Sequence, residues 1–267
     1  MRKPLLFLLL TLSFLASCEY KRILKSSDYN LKYEAAVKYY DKGLYYKAIP
    51  LIEELIPVFR GTERAERLSI MQAWCDYHSQ EYILAAHRFS TFVRTFPFSK
   101  HAEECLYMNA ICHYRLSPKF SLDQYDTYKA MEAMEQFVRS FPQSNKVDTC
   151  HYMLDQMRFK LERKSFETAR QYYLTGHYRA AVTALENSLR DFPDTKYRED
   201  AMIFIVKAHY EWAVQSVETK KYERFANARK SNLKFAAAFP ESRYIRESQE
   251  IARKIQESLD KLNANVK

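Results

Sequence analysis

Phe-Pro occurs four times in this chain, at Phe96-Pro97, Phe141-Pro142, Phe192-Pro193 and Phe239-Pro240. An alanine stands twelve residues before each proline: Ala85, Ala130, Ala181 and Ala228. Three residues before each alanine comes an aromatic or a threonine, namely Tyr82, Thr127, Tyr178 and Phe225. Seven residues after it stands Phe92, Phe137 or Phe235, with Ser188 in the remaining unit. The prolines are 45, 51 and 47 residues apart, so each unit holds a helical hairpin plus extra turns. Alanine lets two helices approach closely, and the bulky positions fill the groove between them. Proline stops the second helix, because it lacks an N–H and its ring clashes with the preceding turn. A degenerate earlier copy has Tyr39, Tyr40, Gly43, Tyr45 and Ala48, but Arg60 where the proline belongs. An end unit has a neighbour on one side only, so departures are expected there.

Glycine occurs only at Gly43, Gly61 and Gly176, too few for the turns of a β-sandwich or the phosphate loops of a doubly wound α/β fold. The chain therefore reads as all-α. The spacing predicts first helices over 29–42, 62–79, 99–116, 144–175 and 195–218. Their partners would cover 44–59, 81–95, 121–140, 177–191 and 220–238. The long fourth segment is expected to break near Lys164. Ile245, Ile251, Ile255, Leu259 and Leu262 form one stripe on a capping helix over 242–262, with a frayed end from Asn263. Tyr-x-x-Ala followed by Phe-Pro resembles the second helix of a tetratricopeptide repeat. That implies a right-handed superhelical solenoid of about five TPR-like hairpins, with repeats 1–3 over 29–140 and repeats 4–5 plus the cap over 141–267.

The first seventeen residues have another character. Arg2 and Lys3 precede an apolar run from Leu5 to Leu15, and Leu15-Ala16-Ser17-Cys18 closes it. This is the pattern of a secretory signal, and the run is too short to span a bilayer. The ending resembles a bacterial lipobox, which implies cleavage before Cys18 and acylation of that cysteine; the alternative is an ordinary cleavage site with a chance cysteine. Residues 19–28 would then be a short tether. Removing Arg2 and Lys3 from 42 basic residues leaves 40 against 33 acidic ones. An exported chain is not expected to meet nucleic acid, and the basic residues are spread along helices as solvated faces. Their excess still suits anionic headgroups or an acidic partner. Cys75, Cys105, Cys112 and Cys150 fall on apolar helix faces and are read as buried thiols.

Signatures of catalysis are missing. There is no glycine-rich phosphate string. His101 and Cys105 share a helix face, and Cys112-His113 and Cys150-His151 add nominal ligands, but no zinc spacing such as C-x-x-C or H-E-x-x-H occurs. Glu53-Glu54 and Glu103-Glu104 are adjacent, so each pair diverges on a helix. The expectation is a protein that is not an enzyme, with no metal and no cofactor beyond a covalent lipid on Cys18.

A lipobox cysteine ahead of five such hairpins resembles the BamD (ComL/YfiO) family of outer-membrane assembly lipoproteins. Ala73 to Phe96, Ser117-Pro118 through Asp123-Gln124 to Pro142, and Leu189 to Thr195 carry the local similarity. The resemblance implies a lipid-anchored scaffold of the β-barrel assembly (BAM) machinery at the outer membrane, facing the periplasm. Its C-terminal repeats would bind a BamA-like subunit alongside other BAM lipoproteins. Its N-terminal repeats would receive C-terminal segments of unfolded outer-membrane proteins. First helices of such hairpins line the concave face, and here they carry Tyr33, Tyr40, Arg67, Met71, Trp74 and Tyr77. Aromatic rings offer broad contact area, Met adapts, and Arg pairs with a terminal carboxylate. Packing of these aromatics between helices is the competing reading. A different repeat scaffold serving cell-wall or transport complexes is the functional alternative, and a metal-dependent envelope hydrolase a more distant one.

Overall fold

The computed structural model describes residues 19–264, and every regular element among them is helical. Cys18, the expected lipid attachment, lies outside the described residues, as do residues 265–267. Residues 19–25 form α1. Five hairpins follow: α2 (Tyr29–Asp41) with α3 (Tyr45–Val58), α4 (Glu63–His78) with α5 (Tyr82–Thr95), α6 (Ala102–Leu116) with α7 (Tyr125–Ser140), α8 (Val147–Leu174) with α9 (Tyr178–Asp191), and α10 (Arg198–Val214) with α11 (Glu218–Ala238). The last element is α12 (Ile245–Ala264), which continues past the expected end at 262.

The chain packs as two units. One comprises residues up to Pro118 together with Asp123–Leu154; the other comprises Lys119–Leu122 and residues from Asp155 onward. Helices α2 to α7 pack each on the next in the first unit, and α9 to α12 do so in the second, where α12 also touches α10. The expected break near Lys164 is absent, and α8 runs unbroken for 28 residues. Neither Pro nor Gly occurs between Pro142 and Gly176, so nothing in the sequence interrupts the backbone ladder. In the second unit, residues 119–122 lie against α8: the Arg163 guanidinium sits 4.1 Å from the Phe120 ring, and Lys164 Nζ donates to the Leu122 carbonyl at 2.5 Å.

The repeat motif marks the places where helices meet. Ala85, Ala130, Ala181 and Ala228 are all fully buried, and so are Phe137 and Phe235. Each Phe of the Phe-Pro pairs caps its helix by donating its N–H to the carbonyl four residues back. Their ψ angles of 63°, 64°, 74° and 66° leave the helical region, as a following proline requires. Two residues beyond each proline comes a hydroxyl the sequence reading did not single out. Ser99 donates to Glu66 at 2.6 Å, Ser144 to Glu103 at 2.6 Å, Thr195 to Glu162 at 2.9 Å and Ser242 to Glu199 at 2.5 Å. The same oxygen accepts the backbone N–H two residues on, from His101, Lys146, Tyr197 and Tyr244. Each Phe-Pro junction is thus fastened to the first helix of the hairpin before it, whereas at the first junction Thr62 donates to the Phe59 carbonyl instead.

Tight left-handed turns separate the two helices of several hairpins. Gly43 and Gly176 occupy this conformation after α2 and α8, and Gln80 occupies it after α4 with φ of 64°. All three turns carry the same pair of bonds: Gly43 to Tyr40 and Leu44 to Tyr39, Gly176 to Tyr173 and His177 to Tyr172, Gln80 to Tyr77 and Glu81 to Asp76. A Cβ is strained there, whereas glycine is not. Gln80→Gly is therefore expected to stabilise the second hairpin by roughly 0.5–1 kcal/mol. A urea titration followed by Trp74 fluorescence would register the gain, and a lower midpoint would refute it.

The segment expected to be a tether is structured. In α1, Ile23 is 6% exposed and joins the core of the first hairpin, with Tyr20 and Leu24 packed beside it. Tyr20 meets Tyr39 edge to face at 5.5 Å and donates from its hydroxyl to the Lys47 carbonyl at 3.3 Å. Positions 20, 23 and 24 form one stripe at helical spacing, which is why this short stretch docks.

Candidate peptide-binding cleft

A cleft of about 860 Å³ opens between the first helices of the first three hairpins. Tyr33 and Tyr40 of α2, Arg67, Met71 and Trp74 of α4, and Glu104 of α6 line it, together with the Phe98–His101 junction. It therefore gathers five of the six sequence candidates. Tyr77 is the exception: it does not line the cleft, and its ring packs on Trp74 at 5.6 Å and Tyr82 at 5.6 Å.

The five differ in what they offer. Tyr33 and Met71 are 7% and 4% exposed and belong to the core of the first hairpin, so they form the floor. Tyr33 lies edge-on to Phe59 at 5.8 Å, and the Arg64 guanidinium covers its ring at 4.8 Å. Arg64 is further held by Asn30, to whose Oδ1 it donates at 2.6 Å. Tyr40 is half-buried, and burial pushes its hydroxyl up to about 12, so it is a neutral hydrogen-bonding group at physiological pH. Trp74 packs edge-on against Phe89 at 5.5 Å and stacks on His78 at 5.5 Å, and Tyr45 also stacks on His78 at 5.2 Å. These rings are locked by their neighbours, which makes the floor rigid and apolar.

Arg67 is the exposed cation of the set. It makes one long hydrogen bond, Nη1 to the Tyr33 hydroxyl at 3.5 Å, and no ion pair among the described residues. By contrast, Glu66 is taken by Ser99, and Glu104 lies 3.9 Å from His101. A guanidinium free to pair, above an aromatic floor, suits a carboxylate carried on an apolar chain. The sequence reading missed Phe98, which is fully exposed at 101% on the rim. Its signal was available: the corresponding junction positions are Gln143, Asp194 and Glu241, so Phe98 alone is apolar.

The second unit has its own cleft of about 650 Å³, where Tyr172, Arg179, Asn187, Trp212 and Gln215 meet around the Gly176 turn. The Arg224 guanidinium lies 4.5 Å from the Trp212 ring. All four described cysteines are buried free thiols. Burial pushes Cys75, Cys105 and Cys112 up to about 12 and raises Cys150 as well, so thiolate chemistry is suppressed. Among the described residues no group of three or more His, Cys, Asp or Glu side chains is placed to hold a metal ion, His101 and Cys105 included. No described helix is long and apolar enough to cross a membrane.

Comparison with solved structures returns helical repeat proteins. The TPR2AB domain of yeast Sti1, solved as a complex with pHSP90, aligns over 85% of this chain and 98% of its own at 14% identity, with a TM-score of 0.39. The TPR domain of P58(IPK) aligns over 94% and 67% at 15% identity, with a TM-score of 0.38. A putative kinesin light chain of Podosopora anserina with nearly identical TPR-like repeats aligns over 89% and 95% at 15% identity, with a TM-score of 0.33. No curated protein matches the sequence. A family model does: that of YfiO, outer membrane lipoprotein, matches residues 26–225. That span takes in three of the four repeat alanines, three of the four Phe-Pro pairs and the whole aromatic cleft, and the chain belongs to the YfiO family of outer membrane lipoproteins.

Proposed function

We propose that this protein is a non-catalytic scaffold of β-barrel assembly, acylated at Cys18, held at the periplasmic face of the outer membrane. In this reading the cleft of the first unit receives the C-terminal segment of an unfolded outer-membrane protein. The observation that carries it is Arg67, exposed and without an ion partner among the described residues, beside a floor of Tyr33, Met71 and Trp74. An extended peptide ending in an aromatic residue would lay its ring on that floor and its carboxylate against Arg67, with Phe98 at the rim. The second unit, with its Tyr172 and Trp212 cleft, would dock on a BamA-like subunit and neighbouring BAM lipoproteins.

Fluorescence anisotropy with a labelled peptide ending in aromatic-COO⁻ tests the cleft. Arg67→Glu is expected to weaken binding roughly tenfold to a hundredfold, the range for a charge-assisted hydrogen bond. Amidating the peptide should cost the native protein a similar factor and the variant little more. Equal affinity for native and variant would remove Arg67 from the site. Docking is tested by an affinity pull-down from gently solubilised envelopes. Recovery of a BamA-like barrel protein, lost on deleting residues 195–267, supports assembly; recovery of cell-wall or transport proteins instead would point to a different scaffold.

A further inference from the structure

The outward side of α1 is basic. Lys21, Arg22 and Lys25 are all exposed, while Tyr20, Ile23 and Leu24 face the first hairpin. None of the three cations has an ion pair among the described residues; the helix's one acid, Glu19, lies 3.7 Å from Lys38. Beside them the Lys47 ammonium sits 5.5, 5.6 and 5.7 Å from the rings of Tyr20, Tyr39 and Tyr46. Tyr46 itself is 68% exposed. The α1 edge thus presents exposed cations together with the exposed Tyr46 ring, residue types that settle at a lipid headgroup layer.

The position of Cys18 says what covers this edge. It immediately precedes Glu19, so acyl chains on Cys18 enter the bilayer about 3.8 Å of backbone from the first helical residue. With α1 docked on the hairpin, no slack remains to hold the hairpin away from the surface. We infer that the α1 face is a membrane-seating surface that binds anionic phospholipid headgroups, so that the lipid and the basic face act as two signals for one orientation. The inference rests on acylation at Cys18 for the orientation, but the headgroup contact is a property of described residues alone.

That separation allows a test without the lipid. The chain from residue 19 onward keeps every described residue. Its sedimentation with vesicles of phosphatidylglycerol and phosphatidylcholine is compared with vesicles of phosphatidylcholine alone. Each Lys or Arg near an anionic surface raises partitioning by about fivefold, so Lys21→Gln, Arg22→Gln and Lys25→Gln together are expected to lower it about a hundredfold. Raised salt should do the same to the native chain. Arg229→Gln, Lys230→Gln and Lys234→Gln, an equal charge change at exposed positions of α11, should leave partitioning nearly unchanged. An equal loss from both triple variants, or equal sedimentation with neutral vesicles, would overturn the seating surface. Mass spectrometry of the protein purified from envelopes reads acylation of Cys18 separately. An unacylated chain that still binds anionic vesicles through α1 would refute the lipid anchor and leave the headgroup site standing.

Discussion

Phe137→Ala is expected to destabilise the first unit by about 3–5 kcal/mol, the range for deleting a fully buried aromatic ring. Phe137 is 0% exposed. Its ring meets Tyr107 at 5.4 Å and Phe141 at 5.8 Å, and it shares a core cluster with Leu106 and Cys150. Alanine leaves a cavity at the point where α6 and α7 close on each other and on the start of α8. The two tryptophans, Trp74 and Trp212, fall one in each unit, so single-tryptophan versions report the units separately. In a Trp212→Phe background, urea unfolding followed by Trp74 should show the full loss. In a stacked array each hairpin touches only its neighbours, so the Trp212 transition, recorded in a Trp74→Phe background, should move much less. A loss below about 1 kcal/mol at Trp74 would mean that the motif phenylalanine does not close the hairpin.

Arg88→Ala is expected to cost about 3 kcal/mol near neutral pH, through the charge it strands rather than the bond it breaks. Arg88 donates from Nε to Asp76 at 3.1 Å and from Nη2 to Glu53 at 3.0 Å. Asp76 is 3% exposed. Burial raises its carboxyl above the ordinary range, and Arg88 opposes that shift. Without the guanidinium the folded pKa moves further above the unfolded value. A group so raised is unstrained below its unfolded pKa, and its stabilisation is lost as pH rises through the folded value. The deficit of the variant against the native protein should therefore be smaller at about pH 4 than at about pH 7. Adding Asp76→Asn should recover much of the loss at neutral pH. A deficit independent of pH would show that Arg88 contributes by packing, not by neutralising Asp76.

The helical hairpins were legible because their determinants are local and repeated. Ala130 twelve residues before Pro142, with Phe137 between, specifies a close crossing and a stop whatever surrounds it. The fold class follows from four such copies. What the sequence did not disclose depends on pairing across hairpins. Glu162 lies 33 residues before Thr195, and Glu103 lies 41 before Ser144, so no window of helical periodicity contains both partners. The continuity of α8 was missed because a long helix was expected to divide, although it contains neither Pro nor Gly. α1 was missed because seven residues are too few for a confident periodic pattern; docking of Ile23 supplies what propensity lacks. In the cleft, aromatic content identified the floor, but three-dimensional packing assigned Tyr33 and Met71 to the core and turned Tyr77 away. Phe98 lies outside any helix, where helical periodicity carries no information about it.

The hydroxyl-to-carboxylate fastening has a consequence for how such a chain can change length. Ser99, Ser144, Thr195 and Ser242 each reach back to a glutamate on an earlier first helix. The third, fourth and fifth hairpins therefore each carry one half of the join to the predecessor and one half of the join to the successor. Duplicating or excising a segment between successive Phe-Pro-x-Ser/Thr junctions preserves one donor for every acceptor. A cut elsewhere strands a carboxylate such as Glu162, itself 9% exposed, without its hydroxyl. The length of such a chain is thus set in whole hairpins, each insertion or excision at these junctions leaving every donor with an acceptor.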